Sequence, residues 1–255
     1  MAGPSAVALS RARQVLDLDP DAVRAPRGYL DLVGSEPSPT GVAQMLMVTR
    51  VVPIVYERWW RPALGRVMKG LRGPSMRQEQ HLIRELLAFE EGATVLDVAC
   101  GPGNYTRAFA EDVGEQGAVI GIDLSATMLA RAVSDTDARQ VVYVRADVTD
   151  LSFRSGSVDA VSCVAALHLF TDPWAALDDM ARALRPGGRL AILTTIQPRS
   201  RAGALIADVA GRAGGVRIFR PGEVTAELAD RRLEITYRGT WGIAQIVGAR
   251  RSQRR

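Results

Sequence analysis

Histidine and cysteine are scarce in this chain: two of each in 255 residues, His81 and His168, Cys100 and Cys163. The histidines lie far apart and no zinc-ligand spacing exists, so a structural or catalytic metal site is not expected. Long apolar runs are missing as well. None approaches the roughly 20 residues that span a bilayer, and the opening MAGPSAVALSRARQ has no apolar signal core, so no membrane span and a cytoplasmic location are the expectations. A basic stripe is missing too, although the pI is near 9.5. The net charge is +4, and Arg250, Arg251, Arg254 and Arg255 supply all of it, leaving the body neutral. No nucleic acid partner is therefore expected, and the arginine tail at 250–255 reads as solvated. Internal repeats and low-complexity blocks are absent. A hydrophobic content of 47% with 24% charged residues is ordinary for a globular domain.

What is present concentrates between Thr94 and Asp123. The stretch TVLDVACGPGNYTRAFAEDVGEQGAVIGID reads as a buried strand at 95–99, a glycine turn at 100–103, a helix from about Asn104 to Asp112, and a second buried strand ending in Asp123. Short Val- and Ile-rich runs bounded by glycine fit strands of a parallel sheet covered on both faces. Gly101 and Gly103 let the backbone turn sharply and let a ligand come close. Asp123 follows Gly101 by 22 residues, where a Rossmann-like unit sets a carboxylate on ribose hydroxyls. A dinucleotide fingerprint needs a third glycine where this chain has Thr106, and Pro102 has no N–H to offer a phosphate. The pocket thus suits a phosphate-free, cationic nucleoside better than a nicotinamide dinucleotide.

The pattern D-x-A-C-G-P-G-N followed by G-I-D-L-S resembles the cofactor motifs of class I S-adenosylmethionine (SAM)-dependent methyltransferases. Ala99 departs from the glycine many relatives carry and slightly crowds the methionine end of the cofactor. The likeness extends over about residues 80–250. It implies SAM as cofactor and an α/β, Rossmann-like doubly wound sheet of seven strands, mostly parallel, with one antiparallel strand near the C-terminus. A helical cap would precede that sheet. D-x-S-x-x-M-L is matched from Asp123 to Leu129, which implies that Met128 faces the adenosine and that Leu124 belongs to the cofactor site. Asp147 ends the third strand (140–148) where relatives hold the adenine amino group, with Val148 beside it; a strand-end turn cap is the competing reading for Asp147. Tyr56, in the segment before the first strand, would lie over the cofactor. The cofactor residues expected by resemblance are thus Tyr56, Ala99, Gly101, Gly103, Asp123, Leu124, Met128, Asp147 and Val148.

Along the chain, four pieces are expected: a loosely ordered arm at 1–40 holding one short helix, a helical cap at 41–90, the cofactor domain at 91–249, and the basic tail. The cap carries Met45, Met47, Met68 and Met76 with Trp59 and Trp60, residue types that suit an adaptable apolar cavity wall or plain helix packing. Ser125 and Asp172 are expected helix N-caps, with Pro173 in the first turn. The fourth strand leads into Ala165–His168, which would face the reactive methyl. His168 is the candidate catalytic base if the acceptor is a hydroxyl, and otherwise a pocket wall. Cys100 reads as a small residue beside a tight turn rather than a nucleophile. The function these features imply is methyl transfer to a small apolar or aromatic metabolite, at carbon or oxygen, as in quinone biosynthesis or secondary metabolism. A protein that holds SAM without spending it, for a cyclisation or dehydration, is the alternative. The partner expected is a small-molecule acceptor, and a homodimer is left open.

Overall fold

The computed structural model describes residues 3–18, 27–33, 70, 73–149 and 153–253. In chain order the helices are α1 (Ala6–Leu16), α2 (Met76–Leu87), α3 (Asn104–Val113), α4 (Ala126–Ser134), α5 (Pro173–Ala183), α6 (Arg201–Gly214) and α7 (Glu223–Asp230). The strands are β1 (Leu30–Asp31), β2 (Thr94–Val98), β3 (Ala118–Asp123), β4 (Val141–Arg145), β5 (Val158–Val164), β6 (Leu184–Thr195), β7 (Leu233–Trp241) and β8 (Ala244–Arg251). They form one sheet in the order β1-β4-β3-β2-β5-β6-β8-β7. All neighbours pair parallel except β8, which is antiparallel to both β6 and β7. This is the expected doubly wound architecture with one strand more, the two-residue β1 at the edge.

Strand alternation divides the core into two layers. Leu96, Val98, Ile120, Ile122, Val142 and Val144 pack with α1, α5 and α7 on one face. Val95, Val119, Val141 and Tyr143 pack with α2, α3 and α4 on the other. β2 and β4 are buried at every position, and β3 at all but Asp123, as strands covered on both faces must be. Several boundaries follow from local chemistry. Ser75 and Gln78 close a capping box at the start of α2. Ser125 Oγ accepts the Met128 N–H, and Asp172 accepts from Trp174 and Ala175 ahead of Pro173.

Two expectations about the ends need correction. The short helix in the N-terminal arm is not loose: Ala8, Ala12, Val15 and Leu16 are buried in the sheet core. Small alanines bring α1 close, and Arg11 reaches Gly92 O at 2.6 Å and Thr94 Oγ1 at 2.8 Å at the start of β2. β1 adds to β4, where the nearly buried Arg145 pairs with Asp31 at 3.2 Å. At the other end, Arg250 and Arg251 belong to β8 rather than to a solvated tail. Arg251 donates to the carbonyls of Ala181, Arg182 and Leu184, groups left open where α5 ends. Of the cap expected at 41–90, residues 41–69, 71 and 72 lie outside the described residues; its last helix is α2, with Ile83 and Leu87 buried. Among the described residues no helix is long and apolar enough to cross a membrane.

Packing of α1 sets a measurable stability. Leu16→Ala should destabilise the fold by about 2–4 kcal/mol in denaturant unfolding. An unpacked arm would give less than about 0.5 kcal/mol.

Candidate functional site

β2 and β5 are neighbours, yet the chain leaves β2 towards β3 on one side and β5 towards β6 on the other. Their carboxyl ends therefore mark the switch point where open α/β sheets form a binding crevice. Each strand is followed at once by a non-glycine residue in the left-handed region, Ala99 at φ 54° and Ala165 at φ 56°. Such backbone stores about 1 kcal/mol or more per residue and is kept where surrounding structure dictates it. The Ala99 departure from the glycine many relatives carry is thus felt in the backbone.

The turn after β2 is tied to the end of β3. Cys100 N donates to Ile122 O at 2.9 Å, and Gly101 N donates to Asp123 Oδ2 at 2.8 Å. Asp123 Oδ1 accepts from Ser125 N at 2.8 Å. Burial pushes the Asp123 carboxyl up, and the N–H groups of Ser125, Gly101 and Leu124 pull it back down. A carboxylate has about four acceptor positions, so capacity for a ligand hydroxyl remains after these contacts. The two glycines of the turn have different uses. Gly101, at φ 56°, has nothing within 4 Å of the place its Cβ would take, so space opens in front of it. At Gly103, φ 78°, a Cβ would run into the Tyr143 hydroxyl. Both glycines were expected to clear room for a ligand; Gly101 faces open space, whereas at Gly103 the Tyr143 hydroxyl stands where a Cβ would go.

Beneath the turn lies a polar knot. Asp97, 1% exposed, accepts from Thr106 Oγ1 at 2.6 Å and Ser162 Oγ at 2.5 Å. It joins β2, α3 and β5, and a carboxyl group so deep requires such donors. Sequence reasoning passed over this role: Asp97 stood in the motif as a lone acid in an apolar strand, and Thr106 was read only as a missing glycine. Burial, reinforced by the charges of Asp123 and Asp97, drives the Cys100 thiol well above its ordinary range. Burial lifts Cys163 to about 12, so neither thiol supplies a thiolate.

The remaining expected cofactor residues line the ends of β3 and β4. Leu124 is held by Arg145 Nε, which donates to its carbonyl at 3.1 Å. Met128 and Val148 are buried. Asp147 Oδ1 accepts from Thr149 N at 3.0 Å and Thr149 Oγ1 at 2.7 Å, the turn-cap geometry, with Oδ2 outside that pair. Tyr56 lies outside the described residues. His168 sits across the switch point, in the one-turn 3₁₀ segment Leu167–Leu169 that follows β5. Its Nδ1 is 3.2 Å from Thr194 Oγ1, and burial lowers its pKa to about 4.

Residues 96–192, from within β2 to within β6, match the family model described as a methyltransferase domain. An uncharacterized methyltransferase of Arabidopsis thaliana, described as chloroplastic, is 38% identical over 145 residues, 54% of this chain and 40% of the relative. The chain carries a class I SAM-dependent methyltransferase domain. A demethylmenaquinone methyltransferase of Bacillus licheniformis is 36% identical over 115 residues, 45% of this chain and 50% of the relative. The chain thus spans half or less of the length of these curated relatives. Among solved structures, the [4+2]-cyclase SpnF superposes with a TM-score of 0.63 at 17% identity, covering 85% of this chain and 97% of that one. For the methyltransferase domain SAM is the implied cofactor, and the residues fit it: open space at Gly101, a half-buried carboxylate with spare acceptor capacity, and an apolar wall at Met128 and Val148.

The depressed His168 pKa has a consequence for stability. An unfolded histidine titrates near 6.5, so below that pH the unfolded state takes up the proton first and the fold loses stability as pH falls towards 4. A loss of up to about 3 kcal/mol is expected across that window. His168→Asn should flatten this part of the stability curve, read by denaturant unfolding at pH 7, 5.5 and 4.5.

Proposed function

We propose that this protein transfers the methyl group of SAM to a small apolar or aromatic acceptor, at carbon or oxygen. The single observation that supports this reading most is the open Gly101 turn clasped to the Asp123 carboxylate. When bound, SAM supplies a methyl group on a sulfonium that is already a leaving group, so the protein's task is alignment and exclusion of water. Asp123 accepts from the ribose hydroxyls while Gly101 and Ser125 hold it still. Asp147, with one oxygen held by Thr149, turns the other to the adenine amino group. Met128 and Val148 give the adenine an apolar bed, and Ala99 meets the methionine end.

His168 is neutral at physiological pH, since burial sets its pKa to about 4. Neutral imidazole can accept a hydrogen bond from an acceptor hydroxyl, but at that pKa it is a weak base. This favours an acceptor acidic in its own right, an enol or a phenol, over an aliphatic alcohol. The demethylmenaquinone methyltransferase likeness supports a quinone-like acceptor. A second reading keeps SAM bound and unspent while the cavity steers a cyclisation; the likeness to SpnF supports weighing it. Intact SAM after turnover would select that reading.

Calorimetric titration checks the cofactor assignment. SAM should bind and NAD should not, and Asp123→Asn and Asp123→Ala should weaken SAM binding about 10- to 100-fold, the worth of charge-assisted hydrogen bonds. Tight NAD binding with no heat from SAM would refute the assignment.

A further inference from the structure

Around Arg217, whose backbone N–H meets the His168 carbonyl, the chain builds a cavity of about 420 Å³ that the methyl-transfer reading does not use. Its walls come from α6, the end of β6 and the segment 216–223, with Arg212, Arg217, Arg220, Asp208, Glu223 and Gln197 contributing polar groups. The wall is stitched to the proposed acceptor site. Arg217 N donates to His168 O at 2.9 Å, Gln197 N donates to Phe219 O at 2.8 Å, and Thr195 Oγ1 donates to Arg217 O at 2.6 Å.

The charges in this cavity do not balance locally. Asp208 is engaged by Gln197 Nε2 at 2.8 and 3.0 Å. Glu223 takes the Arg217 guanidinium at 2.8 Å and the Arg220 N–H at 2.7 Å. Arg217 is fixed further by stacking 4.7 Å above Trp174 and 5.3 Å above Phe219. Among the described residues the guanidinium groups of Arg212 and Arg220 form no ion pair. Exposed arginines are ordinary on a surface, where water satisfies them. Here two of them line one cavity whose own acids are already engaged, against a third whose position is locked. Guanidinium forks match the paired oxygens of carboxylate and phosphate, which gives direction as well as attraction.

We propose that this cavity binds an oxyanion, a carboxylate or phosphate carried by the acceptor molecule, and so orients its reacting end past His168. The proposal rests on the methyltransferase reading for the word acceptor, while the oxyanion site itself does not. The test titrates the full chain with phenyl phosphate, benzoate and inorganic phosphate, in parallel with SAM. The parent, Arg212→Ala/Arg220→Ala and the control Arg154→Ala are compared. Phenyl phosphate or benzoate should bind the parent and the control alike and should weaken about tenfold or more in the double variant, with SAM affinity unchanged. Whichever of the two binds names the head group. No binding of either, equal binding by the double variant, or equal loss in the control would overturn the proposal. Binding of inorganic phosphate alone would overturn its assignment to the acceptor. Failure of SAM to bind the parent would instead sink the methyltransferase reading and leave the oxyanion result standing.

Discussion

The hydrogen bond from Gly101 N to the Asp123 carboxylate, 2.8 Å long, joins the ends of two adjacent parallel strands. It sits in low dielectric, where a carboxylate survives only if donors surround it. Gly101 and Ser125 supply those donors from the backbone, so the charge is held by parts of the fold that cannot rotate away. The geometry of the turn and the charge of the pocket are thus one feature. Moving β3 relative to β2 by a residue would take the acid away from Gly101 and leave it only the donors of its own turn.

A second layer of constraint lies beneath. Asp97 gathers hydroxyls from α3 and β5, which fixes where the turn leaves the sheet. Ala99 and Ala165 then carry adjoining strands out through left-handed backbone. Strain of this kind persists only when packing on both faces over-determines the path. The two core layers supply that, with α1 and α5 below and α2 and α3 above. The same burial that rigidifies the site silences its thiols and keeps His168 neutral. A site with no available thiolate and a weak base suits chemistry in which the leaving group arrives with the cofactor.

Much of this was legible in the residues. The strand–turn–helix–strand order from 94 to 123 and the caps at Ser125 and Asp172 follow from local patterns. Glycine placement, apolar run length and capping residues act over a few positions, so they can be read without knowing the fold. The ends were harder. Pro, Gly and Asp near the N-terminus suggested a loose arm, while Ala8 and Ala12 let α1 settle on a sheet more than 80 positions ahead in the chain. Arg250 and Arg251 looked like a charged tail because nothing nearby in sequence reveals the sheet they join or the helix carbonyls that receive Arg251. In each case a distant partner decided the outcome.

The sequence by itself determined the sheet-forming runs, the cofactor turn and the acid that follows it, because each is a short-range pattern with its own backbone demands. Only the tertiary structure decided that Gly101 opens to space while Gly103 accommodates Tyr143, and that Thr106 and Ser162 converge on Asp97. It also brought three arginines together around a cavity beside His168. The physical reason is common to all three. Which side chain fills a void or meets a charge depends on strands and helices paired across tens of residues, and no local spacing encodes that pairing.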